Sequence, residues 1–138
     1  IGWVISACEN KELAKSLKNI QQDIFNIGAD MSLPERGANL LKKERLTDLE
    51  HQIDGITKVL PPLKEFILPG GSEFISRIHI ARTSCRNTER TMISMFNSEK
   101  ASELHGKYIN RLSDYLFLLA RLVKHNEGVE EEHWRFEK

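Results

Sequence analysis

Apolar residues recur along most of the chain at spacings of three and four residues, and this pattern limits the fold more than any other feature. The spacing is found in four segments, 13–31, 46–60, 75–95 and 104–123. It places the apolar side chains on one face of an α-helix, so each segment predicts an amphipathic helix. With a short helix at 1–7, we expect four to five helices in an all-α fold. An antiparallel, ferritin-like up-down bundle would bury the apolar faces.

Proline, glycine and polar residues separate the predicted helices. Residues 31–39 predict a loop, and Pro61 and Pro62 end the helix before them, because proline cannot continue a helix. Phe66-Ile67-Leu68 has the composition of a strand, but the sequence offers no second strand to pair with it. We therefore expect an ordered loop there, and a charged tail at 130–138 in which the Glu130–Glu132 run is solvated. Residues 1–138 are expected to form a single domain.

Composition excludes several classes of protein. Lysine and arginine together number 20, as do aspartate and glutamate, so the formal net charge is zero, whereas nucleic-acid-binding domains are usually basic. No apolar run approaches the roughly 18 residues that a membrane helix requires. The two cysteines, Cys8 and Cys85, lack a metal-binding spacing. We expect a cytoplasmic protein with reduced thiols and with neither a nucleic-acid nor a membrane partner.

The segment 72–96 carries an arginine-rich polar face. Arg82, Arg86, Glu89 and Arg90 follow one another at spacings of four, three and one, which puts them on a helix face away from its apolar residues. Three arginines on one face repel one another unless an anion compensates them. Glu89 can hold one of them, and the remaining forked donors match the oxygens of a phosphate. The pattern therefore predicts a local site for a polyphosphate.

A second polar group interrupts the apolar series of the last helix. Asn110 and Asp114 are four residues apart and share a face, with Arg111 beside them. Inside a bundle such groups are costly unless they are paired. They indicate either a ligand site that accompanies the arginine face or, as the alternative interpretation, ion pairs between helices or subunits.

Four segments resemble, in order, motifs of the PduO-type ATP:cob(I)alamin adenosyltransferase family. They are IQQDIFNIGAD at 20–30, LPPLKEFILPGG at 60–71, HIARTSCRNTER at 79–90 and NRLSDYLF at 110–117. The resemblance implies a five-helix bundle that assembles as a homotrimer and binds ATP between subunits. It also implies an enzyme that transfers the 5′-deoxyadenosyl group of ATP to the cobalt of cob(I)alamin or cob(I)yrinic acid a,c-diamide and releases triphosphate.

The resemblance implies an ATP site on the arginine-rich helix. Arg86 and Arg90 would contact the phosphates as catalytic residues, and Glu89 would lie in the nucleotide and magnesium site. Asn110 would hydrogen-bond the nucleotide. The whole expected ATP-binding set is Arg86, Asn87, Thr88, Glu89, Arg90 and Asn110.

Further implied roles concern the corrinoid and the subunit interface. Phe66 would pack beneath the corrin ring, keep the lower axial ligand away and so act as a third catalytic residue. Asp114 would be a second corrinoid-binding residue. Arg82 would form an ion pair across the interface with the aspartate of the family's DEL motif. A cobalamin reductase or an adenosylcobalamin-dependent enzyme would be the protein partner.

Two departures from the family pattern bear on the function. The family usually has another arginine after the one that corresponds to Arg86, whereas this chain has Asn87. The family's TRTGDxG loop, which wraps the triphosphate, and its DEL motif do not occur in the sequence. We therefore expect this chain to hold half of the ATP site. The alternative function is a catalytically silent helical homologue that binds a corrinoid or a nucleotide.

Overall fold

Five α-helices are found in the part of the chain that the structure, a computed structural model, describes, namely residues 1–33, 39–96 and 102–136. They are α1 (Gly2–Ile5), α2 (Lys11–Ser32), α3 (Lys43–Val59), α4 (Glu73–Phe96) and α5 (Glu103–Asn126). The all-α prediction is confirmed. The loop expected at 31–39 lies partly outside the described residues. None of the described helices is long and apolar enough to cross a membrane.

Side-chain chemistry sets several helix boundaries. The side chain of Asn10 accepts a hydrogen bond from the backbone amide of Leu13 at 2.9 Å and caps α2. Ser102 and His105 form a capping box at the start of α5. Each cap satisfies amides that have no partner within the first helical turn. α3 ends at Val59, just before the proline pair that was expected to end it.

The core lies around α5, which packs against both α4 and α3, while α1 packs against α2 and α4. Tyr108 and Tyr115 of α5 are among the largest fully buried side chains. Ile75 and Ile78 of α4 are wholly buried as well, so the predicted apolar series face the core. Burying a side chain of this size contributes roughly 1.5–3 kcal/mol. The up-down bundle as a whole and the homotrimer stay predictions.

The direction of α4 and α5 follows from the contacts between them. Ser72, before α4, donates to Glu127, after α5, at 3.1 Å, whereas Glu89 late in α4 meets Asn110 early in α5. The two helices therefore run in opposite directions. This arrangement sets the polar face of α4 beside the Asn110 end of α5.

A buried ionic network joins three helices. The Asp23 carboxylate of α2 is 3% exposed and accepts hydrogen bonds from Arg45 of α3 at 2.9–3.1 Å. It also accepts one from the Tyr108 hydroxyl of α5 at 2.7 Å. These donors replace the water that a buried carboxylate loses on folding.

A second carboxylate fastens the chain that leads into α3. Asp30 accepts hydrogen bonds from the amides of Leu40 at 2.8 Å and Leu41 at 3.1 Å, and its carboxylate lies 3.2 Å from Nε2 of His105. Burial alone would raise the pKa of Asp30, but these hydrogen bonds outweigh it and leave the pKa lowered. The charged carboxylate thus holds the end of α2, the start of α5 and the incoming loop together.

The expectation of a solvated run at Glu130–Glu132 is wrong for Glu131, whose side chain is only 20% exposed. Ile67 and His133 form an antiparallel β-bridge, and Glu131 accepts hydrogen bonds from Arg121 of α5. The ordered loop around Ile67 therefore has a partner that the sequence did not reveal. The physical reason is that Arg121 is only 5% exposed. A cation so deeply buried needs a carboxylate, and its pairing with Glu131 holds the tail against the protein.

Candidate active site

The polar face of α4 presents two arginines that are anchored but remain accessible. Arg86 donates to Glu89 at 2.5 Å, and Arg90 donates to the side-chain oxygen of Asn87 at 2.5 Å. Both partners are three residues away on the helix, where side chains meet. The Arg86 side chain is 51% exposed. A guanidinium has five N–H donors, and within the described chain each arginine uses one nitrogen in these contacts. Most of the donors can therefore still bind an anion.

Glu89 links this face to α5. Its second carboxylate oxygen accepts a hydrogen bond from the Asn110 amide at 2.8 Å, and its side chain is only 16% exposed. The carboxylate thus orients an arginine on one side and an amide on the other. The structure brings Arg86, Glu89 and Asn110, three members of the expected ATP-binding set, into contact. Asn87 and Arg90 lie next to them on α4.

Thr88 faces a cavity on the side of α4 that also carries Ser84 and Cys85. Its hydroxyl donates to the carbonyl of Ser84 at 3.1 Å, and its side chain helps to line a space of about 250 Å³ between α1, α2, α4 and α5. The other walls are mainly apolar and include Ile80, Ile109 and Leu112. A mainly apolar space of this kind suits an uncharged group.

Cys85 lies on the buried side of the same helix. It is 8% exposed, and its thiol donates to the carbonyl of Ile109 at 3.2 Å. Burial, and next the negative charge of Glu89, raise the pKa of the thiol to about 12. The thiol therefore stays protonated at neutral pH and contributes packing between α4 and α5 rather than a nucleophile.

Arg82 and His79 lie about one turn apart on α4, just before Arg86, and Arg82 carries the positive charge there. The Arg82 guanidinium lies 5.9 Å from the centre of the Phe117 ring. Among the described residues, neither its buried Nε nor the buried Nδ1 of His79 has a hydrogen-bond partner. The pKa of His79 is lowered by burial and then by the charges of Arg82 and Lys124.

The two residues expected to bind the corrinoid lie in different elements. Phe66 lies in the loop between α3 and α4 and is 76% exposed. Asp114 lies in the middle of α5, where it pairs with Arg111 at 2.8 Å. The ring of Phe66 instead packs against Trp134 of the tail, with 6.3 Å between ring centres.

Comparison with known proteins identifies the family. The sequence model of the family described as cobalamin adenosyltransferase matches residues 1–123. The chain belongs to the cobalamin adenosyltransferase family. It is 42% identical over 120 residues to a corrinoid adenosyltransferase of Bacillus subtilis, a match that covers 86% of this chain and 62% of that protein. It is 38% identical over 128 residues to a cobalamin adenosyltransferase of Cupriavidus metallidurans, covering 93% and 68%. The chain thus spans just under two thirds of the length of the Bacillus relative.

Solved structures of cobalamin adenosyltransferases share this fold. A phenylalanine-to-alanine variant of the PduO-type ATP:corrinoid adenosyltransferase from Lactobacillus reuteri, complexed with cobalamin and ATP, matches with a TM-score of 0.81 and 31% identity over 98% of this chain and 78% of that one. An arginine-to-lysine variant of the Lactobacillus enzyme, complexed with ATP, matches with a TM-score of 0.82 and 31% identity over 97% and 78%. The family resemblance inferred from four sequence segments is therefore confirmed.

Sequence reasoning missed the aromatic neighbours of Phe66 in this member of the cobalamin adenosyltransferase family. Trp134 contacts Phe66, and Phe136 in turn contacts Trp134 with 5.5 Å between ring centres. A signal was present, because these aromatic residues alternate with His133 and Arg135. Alternation of this kind is typical of an extended segment that presents one face to a surface.

Proposed function

We propose that this protein transfers the 5′-deoxyadenosyl group of ATP to the cobalt of a Co(I) corrinoid and releases triphosphate. Cob(I)alamin and cob(I)yrinic acid a,c-diamide are the acceptors. The observation that carries the proposal is the anchored arginine face of α4, in which Glu89 joins Arg86 to Asn110. The names of the Bacillus and Cupriavidus relatives, and the Lactobacillus structure with cobalamin and ATP, support the same reaction.

The reaction is a displacement at C5′ of ATP. The electron pair of Co(I) forms the cobalt–carbon bond while the C5′–O bond breaks, and the electrons of that bond leave with the triphosphate. The corrinoid supplies the nucleophile, and because no proton has to be removed, no general base is needed. The protein must orient the substrates and stabilise the leaving charge. Arg86 and Arg90 suit the second task, since their forked donors match phosphate oxygens.

Magnesium fits this site when ATP supplies most of its ligands. In the ranges that the structure describes, no group of three or more histidine, cysteine, aspartate or glutamate residues could hold a metal alone. Magnesium usually binds through one or two carboxylates together with phosphate oxygens and water. Glu89 would therefore hold the ion jointly with ATP, and the ion would add positive charge beside the triphosphate.

Phe66 would form an apolar wall beneath the corrin ring. Its high exposure and its aromatic neighbour Trp134 support this role, because exposed apolar surface often marks a binding site. A ring at the lower face of the corrin excludes the fifth ligand of cobalt, which makes the Co(II) precursor easier to reduce. Asp114, with a side chain that is 44% exposed, would contact the polar periphery of the corrinoid.

A homotrimer with ATP at the subunit interface is part of the proposal. Arg82 and its neighbour His79 support it, because both have unpartnered buried nitrogens within the described chain. A carboxylate of a neighbouring subunit, in the place of the aspartate of the family's DEL motif, would supply the missing negative charge to Arg82. A cytoplasmic location is supported by the two free thiols, Cys8 and Cys85. Since the acceptor must be Co(I), a cobalamin reductase suits this chemistry as a protein partner; an adenosylcobalamin-dependent enzyme, which would use the product, is the alternative.

Mixing the full-length protein with ATP, Mg²⁺ and chemically reduced cobalamin tests the proposal. ATP-dependent growth of the adenosylcobalamin absorbance is the expected result. The second candidate, a silent homologue, is favoured by Asn87, which replaces the family's additional arginine. Such a protein would bind ATP or corrinoid in calorimetry without forming product. Absence of both binding and product would contradict both candidates.

A further inference from the structure

The C-terminal segment, residues 130–136, is fastened by its backbone on both sides of the Phe66 loop. The Leu68 amide donates to the carbonyl of Glu132 at 2.7 Å, and the Trp134 amide donates to the carbonyl of Phe66 at 2.8 Å. These two bonds flank the bridge between Ile67 and His133. The backbone of the Phe66 loop is therefore held by the C-terminal segment and not by the helices alone.

Arg121 of α5 clamps the two segments together. Its Nε donates to one carboxylate oxygen of Glu131 at 2.6 Å, and its Nη2 donates to the other at 3.1 Å. Nη2 also donates to the carbonyl of Pro61 at 3.0 Å, where the loop begins. Arg121 is 5% exposed, and a buried cation of this kind holds its partners firmly because losing them would leave the charge unpaired. Loop and segment thus share one buried anchor.

The aromatic side chains of the Phe66 loop and the C-terminal segment are exposed. Phe66, Trp134 and Phe136 are 76%, 49% and 69% exposed. The rings of Phe66 and Trp134 meet edge to face at 76°, an arrangement that contributes about 0.5–1.5 kcal/mol beyond apolar burial. Trp134 therefore restricts the rotation of a ring that is otherwise largely surrounded by solvent.

We propose that Trp134 is a positioning residue for Phe66, and that the Arg121–Glu131 pair fixes the backbone that carries Trp134. The inference rests on the proposed role of Phe66 beneath the corrin. With Trp134 against it, the Phe66 ring meets the corrinoid in one orientation. Without Trp134, the ring must be ordered each time a corrinoid binds, which costs conformational entropy.

A double-mutant cycle in the full-length protein tests this inference. The variants are Trp134→Ala, Phe66→Ala and their combination, and adenosylation is measured with corrinoid and ATP varied separately. Trp134→Ala should lower kcat/KM for the corrinoid by roughly tenfold or more, with KM for ATP unchanged. In the Phe66→Ala background it should have no further effect, because residues that act through one another are not additive. If the losses of the two single variants multiply in the double variant, the inference is overturned. It is also overturned if Trp134→Ala raises KM for ATP as much as KM for the corrinoid.

Two controls separate positioning from a general structural role. Trp134→Phe keeps an aromatic edge against Phe66 and should restore most of the activity; an effect as large as that of Trp134→Ala would count against the inference. Val129→Ala changes another exposed apolar residue just before the segment and should leave activity unchanged. A loss as large as that of Trp134→Ala would likewise overturn the inference.

A spectroscopic readout distinguishes failure of this inference from failure of the proposed function. Nitrogen hyperfine splitting in the electron paramagnetic resonance spectrum of bound Co(II) cobalamin, with ATP present, reports whether the lower nitrogen ligand remains attached. Both Phe66→Ala and Trp134→Ala should increase the ligand-bound fraction. If Phe66→Ala has no effect, the proposed role of Phe66 is wrong. If only Trp134→Ala has no effect, the positioning inference alone is wrong.

Discussion

Replacing Arg86 by alanine should slow adenosyl transfer strongly and leave the fold almost unchanged. Arg86 is 51% exposed, and its contact within the described chain is the ion pair with Glu89. Exposed ion pairs contribute about 0–1 kcal/mol to stability, and Glu89 keeps its hydrogen bond from Asn110. The free energy of unfolding should therefore fall by at most about 1 kcal/mol, which lowers Tm by a few degrees.

The effect on the chemistry is expected to be much larger. Arg86 is held in place before the charge of the leaving triphosphate develops, so it is a preorganised donor. Loss of one such donor costs about 10²–10³ in kcat, or about 2.7–4 kcal/mol of activation free energy. Adenosylcobalamin formation at saturating substrates measures this loss. Arg86→Lys keeps the positive charge but loses the planar guanidinium that can bind two phosphate oxygens at once. Its kcat should therefore lie between those of the wild type and Arg86→Ala.

Lys107→Ala is the matched control for the loss of a surface cation. Lys107 is 61% exposed and pairs with Glu103 on α5, and its removal should leave kcat unchanged. Near-wild-type turnover of Arg86→Ala would refute the phosphate contact. A large fall in its Tm would show instead that Arg86 is needed to hold α4 against α5.

Three buried groups lead to further predictions. Tyr108→Phe removes the hydroxyl that donates to Asp23 and should lower the free energy of unfolding in urea by about 1–3 kcal/mol; an unchanged value would contradict the network. Because the pKa of Asp30 is lowered, its stabilising effect should be complete above the unfolded pKa of about 3.9 and be lost as pH falls through the lower folded pKa. The difference in free energy of unfolding between wild type and Asp30→Asn should therefore shrink as the pH is lowered below about 3.9. A difference that grows at acid pH would refute this. Cys85, whose pKa is raised to about 12, should react with iodoacetamide at neutral pH far more slowly than the less buried Cys8; equal labelling in mass spectrometry would contradict its burial.

The helices could be predicted because their signals are local. Leu17, Ile20 and Ile27 recur at helical spacing and are all buried in α2, since one face of an amphipathic helix must leave water. The contact between Arg86 and Glu89 was predictable for the same reason, as residues three apart on a helix meet.

The pairing of the tail could not be predicted, because it depends on distant residues. Arg121 donates to Pro61, 60 positions away along the chain, and neither residue has a local pattern that reveals the contact. The partner of Asp23 was hidden in the same way, since Tyr108 is 85 positions away. Only packing of the helices brings such groups together, and burial then requires them to pair.

C5′ of ATP is proposed to be transferred to cobalt while the arginine face of α4 holds the triphosphate. Following C5′ and the phosphates of ATP into the products tests this transfer most directly. ATP labelled with carbon-13 at C5′ should give adenosylcobalamin with the label bonded to cobalt, detected by nuclear magnetic resonance. One intact triphosphate should be released for each adenosylcobalamin formed. Release of ADP or diphosphate without a labelled cobalt–carbon bond, in a protein that binds both substrates, would contradict the account.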